Sequence, residues 1–186
     1  MKKCCVLVSG TNGVGKSTLA RAFIEHFGGV VRYEGQVSFT RDGPALVGPY
    51  NCSSGGVDRL KDERGQTSTK PLASVVEYAL KSADVVLCEG VFLHTFGINM
   101  TNAIFKAERQ LVVNLCAPLD TIYARLMART GNRNRHWDTI AAKQRGAANA
   151  AERFHQIGVP VMRFDTSRTS TDEILGKILL FLETGN

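Results

Sequence analysis

Residues 10–18 carry a complete phosphate-binding motif near the start of the chain. They spell GTNGVGKST, which matches the pattern G-x-x-x-x-G-K-[ST]. Glycines allow backbone N–H groups to close around phosphate oxygens, and a helix beginning at the lysine adds its partial positive charge. We therefore predict that this loop binds a nucleoside triphosphate, expected to be ATP. The predicted binding residues are Gly10, Asn12, Gly13, Val14, Gly15, Lys16, Ser17 and Thr18.

The segments on both sides of the motif have the character that such a site requires. Residues 4–8 form an apolar run that predicts a short buried strand, and apolar residues recur at helical spacing over residues 19–27. A bare glycine turn between a strand and a helix is the alternative. In the predicted site Lys16 would reach the β- and γ-phosphates, and the Ser17 hydroxyl would ligate Mg²⁺.

The composition is that of one globular domain with a basic surplus. The chain has 186 residues, of which 44% are hydrophobic and 22% charged, and its net charge is +6. We expect a single domain over residues 1–186, and no apolar run is long enough to predict a membrane span. The basic surplus is compatible with a polyanionic partner such as nucleic acid. The sequence leaves the oligomeric state open.

The cysteines favour a reducing environment. Their number, five, is odd, and no C-x-x-C pair occurs. Cys88 and Cys116 lie in apolar runs, so we interpret them as buried small residues rather than metal ligands or disulfide partners. The first predicted strand follows Met1 closely, so we expect no cleaved signal and a cytoplasmic location.

Apolar runs alternate with amphipathic helical segments along the chain, an order typical of a parallel sheet with crossover helices. The predicted core strands lie at residues 4–8, 30–33, 84–89, 111–116 and 159–164. The predicted helices lie at residues 19–27, 71–82, 119–129, 138–157 and from 171 onward. These elements predict an α/β fold: a doubly wound, five-stranded, mostly parallel sheet with helices on both faces. A turn at residues 41–44 predicts a small hairpin, within a polar, glycine-rich insertion at about residues 35–70.

Glu89 ends the third predicted core strand. Ligands of doubly wound sheets bind at the carboxyl ends of the strands, so this carboxylate is expected beside the phosphate-binding loop. There it could hold a Mg²⁺-bound water or orient an acceptor hydroxyl, and we assign it with Ser17 to the metal. The alternative is an acidic residue that only ends a strand.

Four arginines form the basic part of the predicted site. Arg125 and Arg129 are four residues apart on a predicted helix and therefore share a face. Arg133 and Arg135 follow in a predicted basic lid at about residues 129–145. Phosphoryl transfer requires positive charge around the equatorial oxygens, and a closing lid can deliver it. We assign the first pair to catalysis and the second to substrate binding; a solvated basic face is the alternative.

The glycine-rich segment after the hairpin contains the remaining candidates. Gly55 and Gly56 would let the backbone approach a ligand, and Asp58 is a candidate base for an attacking hydroxyl. Tyr50 could stack on a flat ring, as aromatic side chains do on bases. An ordinary surface loop is the alternative.

The phosphate-binding loop, the strand that ends at Glu89 and the helix with Arg125 and Arg129 together resemble the nucleoside-monophosphate-kinase-like branch of P-loop NTPases. The resemblance extends over nearly the whole chain in architecture, and the loop is its specific motif. It implies transfer of the γ-phosphoryl group of ATP to the hydroxyl or phosphate of a small acceptor. It also implies that the two arginines contact ATP and the moving phosphoryl group.

Two shorter stretches resemble acceptor motifs of particular kinases. Residues 40–43, TRDG, are similar to the start of the T-R-E-P-G motif of thymidylate kinases, which makes Arg41 a candidate substrate ligand. Residues 48–50, GPY, and 55–58, GGVD, resemble the G-x-Y … G-G-x-D signature of phage kinases that act on 5-hydroxymethyluracil in DNA. The substrate-binding residues that these resemblances imply are Arg41, Tyr50, Gly55, Gly56 and Asp58.

The sequence thus supports one main hypothesis and two alternatives. The main hypothesis is a Mg²⁺- and ATP-dependent kinase that phosphorylates the hydroxymethyl group of 5-hydroxymethyluracil in DNA. This reaction would be a step in phage thymine hypermodification, in the cytoplasm of the host. Lys16 would hold the phosphates, and Asp58 would orient or deprotonate the hydroxyl. The alternatives are a kinase of a free nucleotide, nucleoside or other small metabolite, and a nucleotide-binding module without turnover.

Overall fold

A seven-stranded sheet forms the centre of the computed structural model, which describes residues 2–50, 56–94, 96–131 and 137–184. The strands are β1 (Cys4–Ser9), β2 (Val30–Glu34), β3 (Val37–Thr40), β4 (Ala45–Val47), β5 (Val85–Glu89), β6 (Arg109–Cys116) and β7 (Val161–Asp165). Their order across the sheet is β2-β3-β4-β5-β1-β6-β7. The five strands from β4 to β7 in this order are parallel, whereas β2 and β3 pair in antiparallel fashion.

Helices connect the parallel strands. They are α1 (Lys16–His26), α2 (Leu72–Leu80), α3 (Ile98–Ile104), α4 (Leu119–Thr130), α5 (Trp137–Gln156) and α6 (Thr171–Thr184). Two short 3₁₀ turns lie at Val57–Arg59 and Val91–His94. Five of the six helices agree with the sequence prediction to within a few residues. The short helix α3 was not predicted, because seven residues give too few turns for a clear apolar period. None of the helices in the described ranges is long and apolar enough to cross a bilayer.

Two hydrophobic cores cover the two faces of the sheet, because side chains alternate between the faces along each strand. In β1, Cys5 and Leu7 belong to the core that α2, α3 and part of α5 cover. Val6 and Val8 belong to the core that α1, α4 and α6 cover. Strands β1 and β5 are buried along their whole length. The prediction of a doubly wound sheet with helices on both faces is therefore confirmed.

The prediction of five strands was wrong, because the hairpin belongs to the main sheet. Residues 30–33 were predicted as a core strand, but β2 is the outer edge strand, and residues 31–34 are exposed. The inner parallel position belongs to β4, where Ala45 pairs with Val86. The difference has a physical reason: β4 contains only apolar residues and is buried throughout, whereas β2 carries Arg32. A central strand of a doubly wound sheet cannot bury such a charge.

The cysteines among the described residues are free: Cys4, Cys5, Cys88 and Cys116. Cys88 is fully buried in β5, as predicted. Cys116 is only partly buried, because it ends β6 at the edge of the sheet, where its Sγ donates to the carbonyl of Phe164 at 3.4 Å.

One edge of the sheet gathers the carboxyl ends of its parallel strands. The phosphate-binding loop follows β1 at this edge, Gly48 follows β4, and Glu89 ends β5. Strand β3 runs in the opposite direction, so the hairpin turn at residues 41–44 lies at the other edge. The topology therefore brings together residues that are about 80 positions apart in the sequence, as the crevice rule for doubly wound sheets requires.

Candidate active site

The phosphate-binding loop has the backbone geometry that the motif predicted. Gly10 has φ +141°, and a Cβ there would lie 2.5 Å from the carbonyl oxygen of Leu115 in β6. Gly15, with φ +91°, is the N-cap of α1 and has no side chain with which to cap it. The first N–H groups of α1 are therefore left for an external acceptor, such as a phosphate oxygen.

Lys16 lies inside this loop. Its side chain is only 6% exposed, and its Nζ donates to the carbonyl oxygen of Thr11 at 2.8 Å. Burial lowers the pKa of Lys16, while the nearby carboxylates of Glu89 and Asp58 act in the opposite direction. The buried ammonium group is thus placed where it can exchange one backbone oxygen for phosphate oxygens.

Glu89 connects the loop with the residues that follow the hairpin. Its side chain is 2% exposed, and its Oε1 accepts hydrogen bonds from Ser17 Oγ and Tyr50 OH, both at 3.3 Å. Burial raises the pKa of Glu89 to about 7, and Asp58 adds to the rise, while Lys16 and the two hydroxyl donors oppose it. Burial beside this carboxylate also raises the pKa of Tyr50 well above its ordinary value, so its hydroxyl stays a donor.

The chemistry of these donors fits Mg²⁺. A hydroxyl and a carboxylate oxygen face each other across 3.3 Å at Ser17 and Glu89. The described residues contain no cluster of three or more acidic, His or Cys ligands. Mg²⁺ in nucleotide sites takes one or two protein oxygens and completes its shell with phosphate oxygens and water. Ser17 and Glu89 could therefore hold the metal, as the sequence predicted.

Three glycines allow the segments beside Glu89 to pack closely, two of them against backbone and the third against side chains. A Cβ on Gly48 would lie 2.3 Å from the carbonyl oxygen of Gly56, and one on Gly56 would lie 2.2 Å from that of Glu89. A Cβ on Gly90 would lie 2.3 Å from the side chain of Val57. We call residues 48–50, 56–59 and 89–91 the glycine wall.

Asp58 occupies the centre of this wall. Its Oδ2 accepts a hydrogen bond from the N–H of Val91 at 2.9 Å, so the carboxylate is tied to the turn that follows β5. A Cβ on Gly90 would lie 2.7 Å from Oδ1, which makes a larger residue at position 90 incompatible with this placement. The structure thus brings Tyr50, Gly56 and Asp58 together around Glu89.

The close contact at Gly56 predicts a large effect of a single methyl group. Gly56→Ala should lower the free energy of unfolding by about 1–3 kcal/mol more than Gly65→Ala does, because overpacking adds to the backbone strain. Gly65 is the control for positive φ alone: its φ is +73° and a Cβ there meets nothing within 4 Å, whereas Gly56 also has ψ −169°, a combination that only glycine adopts readily. Urea unfolding of both variants measures the difference. Equal losses in the two variants would contradict the packing described here.

Ser38 supports the wall and was not identified from the sequence. It is fully buried in β3, donates to the carbonyl oxygen of Gly48 at 2.8 Å and accepts from the N–H of Tyr50 at 3.2 Å. These two bonds fix the backbone on both sides of Pro49. The only signal in the sequence was a small polar residue in a strand whose neighbours are apolar, which does not identify the partner.

The two predicted catalytic arginines lie on the other side of the phosphate-binding loop. Arg125 donates to Thr166 Oγ1 at 2.8 Å, to the carbonyl oxygen of Thr166 at 2.7 Å and to that of Gly13 at 3.4 Å. It therefore joins the loop to the segment after β7. Arg129 is exposed, and it lines the cleft that is described in the next paragraph together with Arg125. Thr166 is a second residue that sequence analysis missed, because it follows a strand in a stretch without a motif.

A cleft of about 620 Å³ runs along the carboxyl edge of the sheet and is lined by the phosphate-binding loop, Asp58, Glu89 and the two arginines. The end of the cleft beside the glycine wall, which we call the acceptor end, is lined by Asp58, Arg59, Glu89 and Val91. Its other end is lined by Arg125, Leu126, Arg129, Thr166, Thr169, Ser170, Thr171 and Ile174. The phosphate-binding loop lies between the two ends. One cleft thus offers an anion-binding loop with a carboxylate on one side and arginines on the other.

The predicted substrate ligand Arg41 lies away from this cleft, and Tyr50 and Gly56 do not line it. Arg41 was predicted to bind substrate, but it follows β3 at the opposite edge of the sheet, where its N–H donates to the carbonyl oxygen of Gly29 at 3.1 Å. The prediction was wrong because a short motif match does not show in which direction its strand runs. Gly55, Arg133 and Arg135 lie outside the described residues, as does part of the predicted lid.

Comparison with solved structures identifies the fold. The YorR protein from Bacillus subtilis, solved in complex with phosphorylated GDP, is similar with a TM-score of 0.61 and 16% identity, over 96% of this chain and 95% of that one. A sugar kinase from Janibacter sp. is similar with a TM-score of 0.55 and 17% identity, over 97% of this chain and 95% of that one. Deoxyadenosine kinase from M. mycoides with bound dCTP is similar with a TM-score of 0.51 and 12% identity, over 97% of this chain and 99% of that one. No protein-family model and no curated protein matches the chain. The fold is therefore that of P-loop kinases.

Proposed function

We propose that this chain is a Mg²⁺-dependent phosphotransferase. It transfers the γ-phosphoryl group of a nucleoside triphosphate, expected to be ATP, to a hydroxyl group of a free nucleotide, nucleoside or other small metabolite. One observation carries the proposal: Lys16 and Ser17 on one element and Asp58 on another line a single cleft, on either side of Glu89. A module that only binds nucleotide needs the loop but not a carboxylate held opposite it.

The residues divide the reaction between them. Lys16 and the N–H groups of the loop hold the phosphates, and Arg125 and Arg129 neutralise the charge that spreads over the equatorial oxygens. Ser17 and Glu89 would hold Mg²⁺, and the ion would supply positive charge against the charge that develops on the phosphates. The acceptor oxygen attacks the γ-phosphorus as the bond to the β-phosphate oxygen breaks. The proton of the acceptor hydroxyl passes to a carboxylate of the wall.

Asp58 is the carboxylate that we assign to this proton. The N–H of Val91 fixes its position at the acceptor end of the cleft. Glu89 is less suited, because Ser17 and Tyr50 already donate to it and its pairing with Ser17 commits it to the metal.

Asp58→Asn should lower turnover by about 10²–10⁴-fold, because the amide keeps the shape but cannot accept the proton. The nucleotide should still bind at least as tightly, because the phosphate-binding loop is intact and the change removes a negative charge near Lys16. The matched control is Asp84→Asn, at the opposite edge of the sheet, where Asp84 forms an exposed ion pair with Lys3 at 3.3 Å. Steady-state rates with labelled ATP and titration with a fluorescent nucleotide measure both quantities. An unchanged rate would remove Asp58 from the mechanism.

The structural neighbours support a small acceptor. Their names refer to a sugar and to deoxyadenosine, and the YorR protein holds phosphorylated GDP. These are free molecules of low molecular weight, and the cleft of about 620 Å³ has the size of a small-ligand site.

A second candidate is the hydroxymethyl group of 5-hydroxymethyluracil in DNA. Its specific support is that Tyr50 and Gly56–Asp58, which resemble parts of the signature of phage kinases of that substrate, meet at Glu89. The net charge of +6 agrees with a polyanionic partner. The target base would have to leave the stack, at a cost of a few kcal/mol that backbone contacts to the basic residues would offset.

A matched set of acceptors distinguishes the two candidates. The protein is incubated with γ-labelled ATP, Mg²⁺ and one of three kinds of acceptor. The first kind is free: a mixture of sugars, nucleosides and nucleotides that includes deoxyadenosine, 5-hydroxymethyl-2′-deoxyuridine and its 5′-monophosphate. The second is an oligonucleotide that carries 5-hydroxymethyluracil, and the third is the same oligonucleotide with thymine. Label in a free acceptor supports the small-molecule kinase, and label only in the modified oligonucleotide, at a rate that falls with salt, supports the second candidate. Label in none of them, with nucleotide bound, contradicts both.

A further inference from the structure

Gln36 has a backbone conformation that its residue type disfavours. It follows Gly35 in the turn between β2 and β3, and both residues have positive φ, +55° for Gly35 and +66° for Gln36. Two-residue hairpin turns of this kind prefer Asn-Gly or similar pairs, because a side chain at positive φ costs about 1–2 kcal/mol. Among the described residues, Gln36 is the only non-glycine with positive φ. Some other contact therefore favours glutamine at this position.

The side chain of Gln36 provides that contact. Its Nε2 donates to the carbonyl oxygen of Lys61 at 3.0 Å, and its Oε1 accepts from the N–H of Lys61 at 2.6 Å. The amide group thus pairs with both polar groups of one residue, as a neighbouring strand would. The carbonyl oxygen of Gln36 also accepts from the N–H of Gly48 at 2.8 Å. One residue therefore contacts two separate segments that lead into the glycine wall.

The segments that contain Gly48 and Lys61 also contain residues of the glycine wall, Tyr50 and Asp58. Lys61 comes three positions after Asp58, and of the two residues between them Leu60 is fully buried. Gly48 comes two positions before Tyr50. The pair of hydrogen bonds to Lys61 lies at the protein surface, where such bonds contribute little to global stability because water competes for them. It ties the end of the segment that carries Asp58 to the turn between β2 and β3.

We propose that Gln36 is a positioning residue for Asp58. Its side chain acts through Lys61 and does not touch the substrate, whereas the bond to Gly48 comes from its backbone carbonyl. This inference rests on the proposed function, because it assigns to Gln36 the placement of the proposed proton acceptor. It also explains why the turn keeps a residue that its backbone conformation disfavours.

Two variants separate the side-chain contact from the backbone strain. Gln36→Asn keeps an amide and tolerates positive φ, but it is one methylene group shorter and cannot bridge both groups of Lys61. Gln36→Gly removes the strain and the side chain together. The control is Gln156→Asn at the exposed end of α5. In both Gln36 variants kcat/KM for the acceptor should fall about 10- to 100-fold, while KM for ATP stays within twofold of the wild-type value. The Gln36→Gly variant should nevertheless unfold at or above the wild-type midpoint.

Two readouts keep this inference separate from the proposed function. The first is hydrogen exchange of the backbone amides of residues 57–61 in the nucleotide-free protein, which needs no acceptor and should become faster in both variants. The second is transfer to the acceptor that the wild type labels in the set described above. Faster exchange with reduced acceptor kcat/KM supports the inference; wild-type exchange, or wild-type kcat/KM despite faster exchange, overturns it. If the wild type labels no acceptor, the proposed function fails while the exchange result still decides whether Gln36 holds this segment.

Discussion

Replacing Lys16 with alanine is expected to abolish phosphoryl transfer. The Lys16 ammonium group is buried in the phosphate-binding loop, where it lies 2.8 Å from the carbonyl oxygen of Thr11 and would contact the β- and γ-phosphates. In such a site a preorganised donor to the developing charge contributes about 10²–10³-fold to the rate, and Lys16 also holds the ground-state phosphates. The loss in kcat/KM should therefore exceed about 10³-fold. Initial rates with γ-labelled ATP measure it.

The fold should survive this change. The burial of Lys16 lowers its pKa, which means that the native state holds the charged group at a free-energy cost. Thermal unfolding of the nucleotide-free variant should thus stay near that of the wild type. Lys177→Ala, on the exposed side of α6, is the control for the loss of one positive charge. If the Lys16 variant retained transfer activity, the assignment of residues 10–18 to the nucleotide would be refuted.

Glu89→Gln is expected to remove activity and to stabilise the metal-free protein at alkaline pH. Burial raises the pKa of Glu89 from 4.5 to about 7, so the native state binds this proton more tightly than the unfolded chain does. The stability that this proton contributes is complete below about pH 4.5 and is lost as pH rises through about 7. Glutamine is neutral at every pH, so the variant does not lose this stability as the pH rises. Over this interval the variant should gain about 3 kcal/mol relative to the wild type.

The measurement is denaturant unfolding of both proteins at pH 5 and pH 8, with chelator and without nucleotide. Glutamine keeps an oxygen that can accept from Ser17 and Tyr50, so packing changes little. Turnover should fall by at least about 10²-fold, because an amide oxygen is a weaker ligand for Mg²⁺ than a carboxylate. Glu25→Gln, exposed on α1, controls for an amide at the surface. A stability difference between variant and wild type that is the same at both pH values would disprove the burial effect.

The sequence predicted the parts of this site that are local. Residues 10–18 form one contiguous motif whose geometry depends on its own glycines, and the structure places them as expected. Glu89 was found because the end of a buried parallel strand fixes its position in space. The alternation of apolar runs and helical segments was enough to predict a doubly wound sheet with helices on both faces.

The parts that depend on distant pairing could not be predicted. Two short apolar runs, residues 30–33 and 45–47, compete for one position next to β5, and pairing with β3 decides the outcome. The direction of β3 in turn places Arg41 at the far edge of the sheet. Ser38 and Gln36 act through hydrogen bonds to residues 10 to 25 positions away, and the type of one polar residue does not identify a partner so distant in the sequence.

The glycines after the hairpin were predicted in part: the sequence indicated that they are required but not why. The pattern indicated that Gly56 lets the backbone approach something, and it suggested a ligand. In the structure the backbone that approaches Gly56 belongs to Glu89 and Gly48 of the same chain. The glycine requirement was correct, but its cause is packing between three segments of the wall.

The most direct test of the account is whether label from ATP becomes covalently attached to an acceptor. The wild-type protein is incubated with γ-labelled ATP, Mg²⁺ and a mixture of nucleosides, nucleotides, sugars and 5-hydroxymethyluracil DNA, and the products are separated from ATP and phosphate. Phosphoryl transfer to an acceptor predicts a labelled phosphoester whose yield equals the ATP consumed, with release of phosphate to water much slower. Tight binding of ATP without any labelled product would contradict it and would identify the chain as a nucleotide-binding module without turnover.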